Sequence, residues 1–202
     1  LRGKTLGIVG YGNIGSQVST MAEAMGMHVV YYDVATKLPL GNARQVRDLA
    51  ELLKQSDIVT LHVPSDATTR HMINADTLRS FKKGGILINH SRGDVVDLEA
   101  LRKAITAGKI SGAAVDVFPE EPEKTGDIFT TVLQNLPNVI LTPHIGGPTE
   151  EAKANIGLDV TSKLIKYLEL GISEGSHTVP AVSLPPQTDT HPILHIPRNI
   201  TV

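Results

Sequence analysis

The sequence predicts an α/β protein built on a doubly wound parallel sheet. Apolar runs of strand length alternate with segments of helical pattern, and the runs are continuously apolar and rich in Ile and Val. Such runs are typical of parallel strands covered by helices on both faces, whereas half-exposed strands alternate polar and apolar residues. Right-handed crossovers between such strands give a doubly wound sheet.

The pattern predicts six strands and five helices. The strands are residues 5–9, 28–32, 58–62, 85–89, 112–117 and 139–142. The helices are residues 14–25, 46–55, 75–81, 98–107 and 149–170. Gly108 and Gly171 are expected to end helices, and Thr149 is expected to cap the last one.

Composition excludes several classes of function. Nucleic acid is not an expected partner, because 19 Lys and Arg balance 21 Asp and Glu and only 3% of residues are aromatic. No apolar run approaches the ~20 residues needed to cross a bilayer, so no membrane partner is expected. The lack of cysteine excludes disulfides and thiolate zinc sites and favours a reducing compartment, the cytoplasm. No metal-ligand spacing is present, so no metal site is predicted.

The C-terminal stretch differs from the rest of the chain. It is rich in proline, and its prolines are Pro180, Pro185, Pro186, Pro192 and Pro197. We therefore predict a domain over residues 1–171 and a Pro-rich linker over 172–192. A short apolar run resumes at residues 193–196. Because Leu1 leads directly into a strand without a signal-peptide layout, the chain is expected to be an excised piece.

A glycine pattern follows the first strand and opens a helix. Gly10 allows a tight turn, Gly12 lets a pyrophosphate approach the backbone, and Gly15 permits close packing of helix on strand. The free N–H groups at the helix start, around Asn13 and Ile14, can bind the anion. The pattern predicts a dinucleotide site; the simpler alternative is a turn that needs glycines for its backbone alone.

Asp33 directly follows the second strand and bears on the choice between NAD and NADP. Its spacing along the sequence from the glycines is that of the acidic residue that accepts hydrogen bonds from the adenosine ribose. A carboxylate there repels the 2′-phosphate of NADP, so NAD is the predicted cofactor. Lys37 is close enough in sequence to keep NADP as an alternative.

Further polar residues follow the later strands. In an open α/β sheet, ligands bind beyond the carboxyl ends of the strands, where Arg92, the acidic turn 119–122 and His144 fall. This set fits the oxidation of a 2-hydroxy acid: an arginine clamps the carboxylate, a histidine takes the hydroxyl proton, and a carboxylate orients the histidine. The simpler alternatives are a solvated turn arginine, a hydrogen-bonded loop histidine and surface glutamates.

Four ordered motifs carry a resemblance to a known family. They are residues 6–15 with the glycines, 88–97 around Arg92, 112–122 with Asp116 and Glu121, and 141–147 around His144. Up to about Gly171, the chain resembles the cofactor-binding domain of the D-2-hydroxy acid dehydrogenase family, which implies a Rossmann-type fold and NAD. The resemblance also implies that Arg92 binds the substrate carboxylate and that Glu121 is the partner of the catalytic histidine. It makes His144 the acid–base group and Asp116 a contact of the nicotinamide carboxamide.

The expected cofactor site combines the glycine loop with residues after the later strands. Its members are Gly10, Gly12, Asn13, Ile14, Gly15, Asp33, Val63, Pro64, Ser91, Asp116, His144 and Gly146.

The tail narrows the resemblance. Residues 175–185 resemble the segment after the last helix in the branch that oxidises D-3-phosphoglycerate to 3-phosphohydroxypyruvate, the first step of serine biosynthesis. Residues 193–199 resemble the opening strand of its ACT-type regulatory domain, although 200–202 do not continue that strand. His90 stands where the family usually has a small residue. In the family, the substrate domain normally precedes the position of Leu1, and we expect it to be absent from this chain.

The resemblance implies a small 2-hydroxy acid substrate, a homo-oligomer formed through the NAD-binding domain, and regulation by L-serine. Two other functions remain open: a reductase of glyoxylate or hydroxypyruvate, and an NAD-sensing protein like the transcriptional corepressors that share this fold.

Overall fold

The structure is a computed structural model of the chain, and it describes residues 1–122, 128–144, 147 and 149–173. The chain forms two compact units, Leu1–Gly146 and Gly147–Val202.

The described residues of the first unit form one parallel sheet and four α-helices. The strands are β1 (Thr5–Val9), β2 (His28–Tyr32), β3 (Arg44–Gln45), β4 (Ile58–Leu61), β5 (Gly85–Asn89), β6 (Ile110–Val115) and β7 (Val139–Leu141). The helices are α1 (Asn13–Ala24), α2 (Leu49–Gln55), α3 (Ala75–Ser80) and α4 (Leu98–Thr106). The strand order is β3-β2-β1-β4-β5-β6-β7.

Helices cover both faces of the sheet. Alternate residues of a strand point to opposite faces. Accordingly, Ile8 of β1 packs in an apolar cluster with Ala22 of α1, whereas Val9 packs in a second cluster with Leu52 of α2 and Leu101 of α4. The doubly wound α/β prediction is confirmed. The strand order reverses between β1 and β4, which is the position where open sheets of this kind bind ligands.

The starts of the helices differ in one respect. The side chains of Asp48, Asn74 and Asp97 accept hydrogen bonds from backbone N–H groups in the first turns of α2, α3 and α4. At the start of α1 the cap position is Gly12, which has no side chain to do this. The first N–H groups of α1 therefore stay available for a ligand.

The structure differs from the prediction by more than one residue in three places. The strand β3 was not predicted, because its two residues are polar and pair with β2 through the backbone only. The second helix starts at Leu49 and not at residue 46, since the N–H of Val46 donates to the carbonyl of Tyr31 and Asp48 caps the helix. The strand β6 covers Ile110–Val115 instead of 112–117, because buried Ile110 already pairs with Gly85.

The second unit contains one described helix, α5 (Glu150–Leu170). Thr149 caps it by accepting a hydrogen bond from the N–H of Ala152 at 3.1 Å, and Gly171 ends it with a φ of +67°. The predicted Pro-rich linker, apart from residues 172 and 173, and the predicted regulatory strand lie outside the described residues. In the part of the chain that the structure describes, no helix is long and apolar enough to cross a membrane.

Candidate active site

The glycine loop joins β1 to α1 at the point where the strand order reverses. Gly10 has a φ of +91°, and a Cβ atom there would lie 2.4 Å from the carbonyl oxygen of His62. Only glycine therefore fits at this position. A Cβ atom at Gly15 would lie 2.1 Å from the carbonyl oxygen of Gly10, so the helix lies directly against the turn.

Gly12 is the open side of the loop. A Cβ atom there would meet no described atom within 4 Å, although its backbone needs no positive φ. Open space therefore lies beside the uncapped N–H groups of α1, where the positive end of the helix dipole favours an anion. A pyrophosphate fits this cradle, so the described residues fit a dinucleotide cofactor.

Asp33 supports the loop as well as facing it. Its Oδ2 accepts a hydrogen bond from the N–H of Tyr11 at 2.8 Å, and its Oδ1 accepts one from the N–H of Ala35 at 2.9 Å. A carboxylate oxygen has two lone pairs, so each oxygen can still accept a ribose hydroxyl. The bond to Tyr11 was not expected from the sequence.

Tyr11 is buried, although it lies inside the glycine motif. Its ring stacks on Tyr31 with centroids 3.7 Å apart. Its hydroxyl donates to Ser19 Oγ at 3.1 Å and accepts from the N–H of Leu40 at 3.2 Å. The side chain therefore anchors the loop to the fold and does not face the cofactor.

Arg92, Glu121 and His144 line one cavity of about 330 Å³. They come from three separate segments, after β5, after β6 and after β7. Gly93 explains how two of the segments meet. A Cβ atom at Gly93 would lie 2.0 Å from the carbonyl carbon of Phe118, so glycine lets the arginine loop pack on the turn that carries the glutamate.

Glu121 and His144 form a bonded pair. Glu121 Oε2 lies 2.7 Å from His144 Nδ1, and Glu121 Oε1 accepts the N–H of Phe118 at 2.9 Å. Burial raises the pKa of Glu121, but the hydrogen bonds from His144 and Phe118 outweigh it and leave the pKa below its usual value. The ionised carboxylate accepts a hydrogen bond from Nδ1–H, so the lone pair of a neutral ring stays on Nε2.

The backbone of His144 has a φ of +52°. A non-glycine residue rarely adopts this left-handed conformation, and such residues often occur at functional sites. The turn aims the imidazole at Glu121. The residue types around His144 did not predict this left-handed conformation.

Asp116 follows β6 and is buried. Its Oδ1 accepts a hydrogen bond from the hydroxyl of Thr142 at 2.6 Å, and its Oδ2 lies 3.8 Å from His90 Nδ1. Half-buried His62 follows β4 directly, and its Nε2 lies 3.1 Å from Thr60 Oγ1. Burial lowers the pKa of His62, and the charge of His90 lowers it further.

The remaining predicted cofactor residues are close to the loop or outside the description. Val63 is next to Gly10, since a Cβ atom on that glycine would lie 3.0 Å from Val63 Cγ1. Pro64 is exposed beyond β4, and Ser91 is buried beside Arg92. Gly146 lies outside the described residues. No three His, Cys, Asp or Glu side chains in the described ranges could together hold a metal ion.

The reversed strand order, the glycine cradle and Asp33 define a Rossmann-type dinucleotide-binding domain. Residues 1–146 match the family model described as D-isomer specific 2-hydroxyacid dehydrogenase, NAD binding domain. The chain belongs to this family, so the predicted resemblance is confirmed, and so is NAD as the cofactor type of the domain.

Three comparisons set the scale of the similarity. A D-3-phosphoglycerate dehydrogenase of Haemophilus influenzae is 51% identical to this chain. The match covers 98% of this chain and 48% of the Haemophilus protein. The NAD-complexed structure of a D-isomer specific 2-hydroxyacid dehydrogenase from Lactobacillus delbrueckii ssp. bulgaricus is 35% identical, with a TM-score of 0.72 over 81% of this chain and 52% of its own. A glyoxylate reductase structure from Paecilomyes thermophila is 34% identical, with a TM-score of 0.71 over 93% of this chain and 53% of its own. The chain therefore spans about half the length of the relatives it matches.

Proposed function

We propose that this chain is the NAD-binding part of an enzyme that oxidises D-3-phosphoglycerate to 3-phosphohydroxypyruvate, the first step of serine biosynthesis. One observation carries the chemistry: an arginine and a hydrogen-bonded glutamate–histidine pair line a single cavity. The choice of substrate is supported by the 51% identity to a relative named for that reaction.

The residues divide the work of the reaction. Arg92 binds the substrate carboxylate through two parallel N–H donors. His144 Nε2 accepts the hydroxyl proton, and the electrons of that O–H bond form the new carbonyl bond as the C2–H bond breaks. When bound, NAD⁺ would supply the acceptor for the hydride that leaves C2. Glu121 stabilises the imidazolium that forms, and the proton then leaves His144 to solvent.

The cradle residues hold the cofactor in this proposal. The N–H groups of Asn13, Ile14 and Gly15 bind the pyrophosphate in the space beside Gly12, and Asp33 accepts the adenosine ribose hydroxyls. Val63, Pro64 and Ser91 complete the walls, and Asp116 accepts a hydrogen bond from the nicotinamide carboxamide. The resemblance adds Gly146 to the cofactor contacts.

The experiment is a substrate panel on the full-length protein. We expect NAD-dependent oxidation of D-3-phosphoglycerate, with hydroxypyruvate and glyoxylate as poorer substrates of the reverse reaction. NADP should support the reaction poorly, because Asp33 repels its 2′-phosphate. A higher kcat/KM for glyoxylate than for 3-phosphohydroxypyruvate would refute the assignment of substrate.

A glyoxylate or hydroxypyruvate reductase is the second candidate, favoured by the 34% identity to a glyoxylate reductase structure. Arg92 suits this function equally, because it recognises the carboxylate that all these acids share. The third possibility, an NAD-sensing protein without turnover, predicts tight NAD binding and no reaction with any acid in the panel.

We further propose the organisation that the resemblance implies. The domain covers residues 1–171, a linker 172–192, and a regulatory strand of ACT type 193–202, with a separate substrate domain contributing the rest of the cleft. The protein then acts as a cytoplasmic homo-oligomer joined through the NAD-binding domain and inhibited by L-serine. Light scattering with and without L-serine, and kinetics at increasing L-serine, test these points together.

A further inference from the structure

We propose that Asn89 is a positioning residue for Arg92, an inference that rests on the proposed function. Asn89 is the last residue of β5 and is fully buried. Three hydrogen bonds join its carboxamide to the loop that carries the arginine, and its backbone carbonyl joins the segment that carries Asp116.

The carboxamide satisfies donors and an acceptor at the same time. Its Oδ1 accepts from the N–H of Ser91 at 3.1 Å and from the hydroxyl of Ser91 at 2.9 Å. Its Nδ2 donates to the backbone carbonyl of Arg92 at 3.0 Å. An aspartate at this position would turn an acceptor toward that carbonyl, and an apolar residue would leave three polar groups, two of them in buried Ser91, without their partner. The position therefore requires an amide.

The bonds act on the guanidinium through the loop. Arg92 Nη1 donates to the carbonyl of Ser91 at 2.6 Å, so the conformation of Ser91 sets where the guanidinium lies. On the other side, Gly93 is packed against Phe118 with no room for a Cβ atom. The loop is thus held at both ends, and Asn89 holds the end that the arginine side chain contacts.

The backbone of Asn89 links the same point to the nicotinamide side. Its carbonyl accepts a hydrogen bond from the N–H of Asp116 at 3.1 Å. This bond belongs to the main chain and survives a change of side chain, provided the strand stays in place. A side-chain variant should consequently disturb Arg92 and leave the NAD contacts intact.

The first test is kinetic, on the full-length protein. We expect Asn89→Ala to lower kcat/KM for the acid substrate about 10-fold, by misplacing a charge-assisted contact whose complete loss costs ~10- to 150-fold. The NAD dissociation constant should stay within about twofold. In an Arg92→Ala background, Asn89→Ala should lower kcat/KM no further, because a residue that acts through another is not additive with it.

Asn74→Ala is the matched control. Asn74 makes a similar set of bonds: its Oδ1 accepts two donors, the N–H groups of Asp76 and Thr77, and its Nδ2 donates to the carbonyl of His71. It caps α3 and does not line the cavity. This variant should lose stability and keep wild-type kcat/KM.

A second variant covers the case in which Asn89→Ala fails to fold. Asn89→Asp keeps the shape and the acceptor for Ser91, and it can donate to the Arg92 carbonyl only when protonated. Its kcat/KM relative to that of the wild type should therefore rise as the pH is lowered. A flat ratio at wild-type level, or an effect of Asn89→Ala that adds fully to that of Arg92→Ala, would overturn the proposal.

Amide hydrogen exchange separates this inference from the proposed function. If the wild-type protein oxidises no 2-hydroxy acid, the proposed function fails. The exchange rate of the Ser91 amide, which donates to Asn89 Oδ1, still shows whether the carboxamide orders the loop. Faster exchange at Ser91 in Asn89→Ala than in Asn74→Ala supports the inference, and equal rates refute it.

Discussion

Glu121 uses both carboxylate oxygens inside the cavity, one toward His144 and one toward the Phe118 amide. A group fixed at both ends has one orientation, so the imidazole it bonds to is fixed as well. The left-handed backbone of His144 contributes to the same arrangement from the other side. The proposed acid–base group is thus held before any substrate binds, which lowers the cost of reaching the reactive geometry.

The pair should respond unequally to substitution. His144→Ala removes the proton acceptor and should lower kcat by about 10²- to 10⁴-fold. Glu121→Gln keeps the size but removes the charge. Its NH₂ group is a donor and would face the N–H of either His144 or Phe118, so one of the two hydrogen bonds is lost. The kcat of this variant should fall by a smaller factor than that of His144→Ala. Steady-state oxidation rates at saturating substrate measure both. A kcat near wild type in His144→Ala would mean that another residue takes the proton.

Arg92 should affect the acid substrate and not the cofactor. Arg92→Ala should lower kcat/KM by ~10- to 150-fold, the loss of ~1.5–3 kcal/mol from a charge-assisted contact. Arg92→Lys should be intermediate, because lysine keeps the charge without the two-pronged geometry. Arg102, which pairs with Glu99 on the surface of α4, offers a matched control as Arg102→Ala. Damaged NAD binding with normal substrate kinetics in Arg92→Ala would contradict the assignment.

The glycines of the loop should separate binding from stability. Gly12→Ala places a methyl group in open space and should lower the free energy of unfolding by no more than about 1 kcal/mol, the preference for glycine over alanine at a helix cap. NAD affinity should nonetheless fall, because the methyl group occupies the space proposed for the pyrophosphate. Gly10→Ala should destabilise the fold by about 1–3 kcal/mol, since its φ is positive and its Cβ atom would contact the His62 carbonyl. Calorimetric titration with NAD and urea unfolding measure the two effects; wild-type NAD affinity in Gly12→Ala would exclude the cradle.

Among the elements, α1 differs from its neighbours in its first turn. The helices α2, α3 and α4 each begin at a side chain that accepts their free N–H groups, and α1 begins at a glycine. A glycine in place of a capping side chain costs a helix only a few tenths of a kcal/mol. In α1 this cost is offset when an anion binds there, so NAD should protect the first turn of α1 from hydrogen exchange more than the other helix starts.

The helix α5 carries a glycine where its structure does not need one. A Cβ atom at Gly157 would meet no described atom within 4 Å, and its φ is not positive. Gly157→Ala should therefore stabilise the helix by about 0.5–1 kcal/mol, the difference in helix propensity between the two residues. Thermal unfolding followed by circular dichroism measures it. A lower melting temperature would show that the position contacts something that needs the space.

At the scale of the whole molecule, stability should depend on pH in two windows. Burial, followed by the charge of His90, lowers the pKa of His62, so the unfolded chain takes up a proton below about pH 6.5 that the folded chain resists. The free energy of unfolding should then fall as the pH drops through that range. Glu121, whose pKa is also lowered, contributes stability that is complete above about pH 4.3 and is lost below it.

Replacing His62 isolates the upper window. His62→Gln should flatten the dependence of the unfolding free energy on pH between about 7 and 5, without moving the loss at lower pH. His28→Gln, at an exposed position, is the control and should leave the profile unchanged. Urea titrations at several pH values measure both, and equal slopes in the wild type and His62→Gln would contradict the assignment.

Sequence patterns predicted most of this sheet because its interior strands are continuous apolar runs. The bounds of β1, β2 and β5 agree with the prediction residue by residue. The strand β3 escaped because Arg44 and Gln45 pair through their backbones at the edge, where side-chain type carries little information. Edge pairing depends on the fold around it, which a local pattern does not contain.

In the candidate site, the residues that suit the chemistry were predictable from the sequence, and the hydrogen bonds that support them were not. The sequence indicated Arg92, His144 and the acidic turn 119–122 because their residue types suit the chemistry and follow strands. The family resemblance then pointed to Glu121 within that turn. The supporting bonds of Asn89 and Tyr11 were not indicated, because buried polar side chains look like ordinary strand or loop residues until the fold shows their partners. The roles of these residues remain predictions for the variants described above.

The interior position of β1 in the sheet has a consequence for folding during synthesis. During synthesis, β1 can pair with β2 as soon as residues 28–32 have left the ribosome, but its other neighbour, β4, arrives only with residues 58–61. Until then one side of an apolar strand offers unpaired N–H and C=O groups, which is the form of strand edge that joins other chains. The interval between these segments is therefore a period in which the newborn chain is exposed to aggregation.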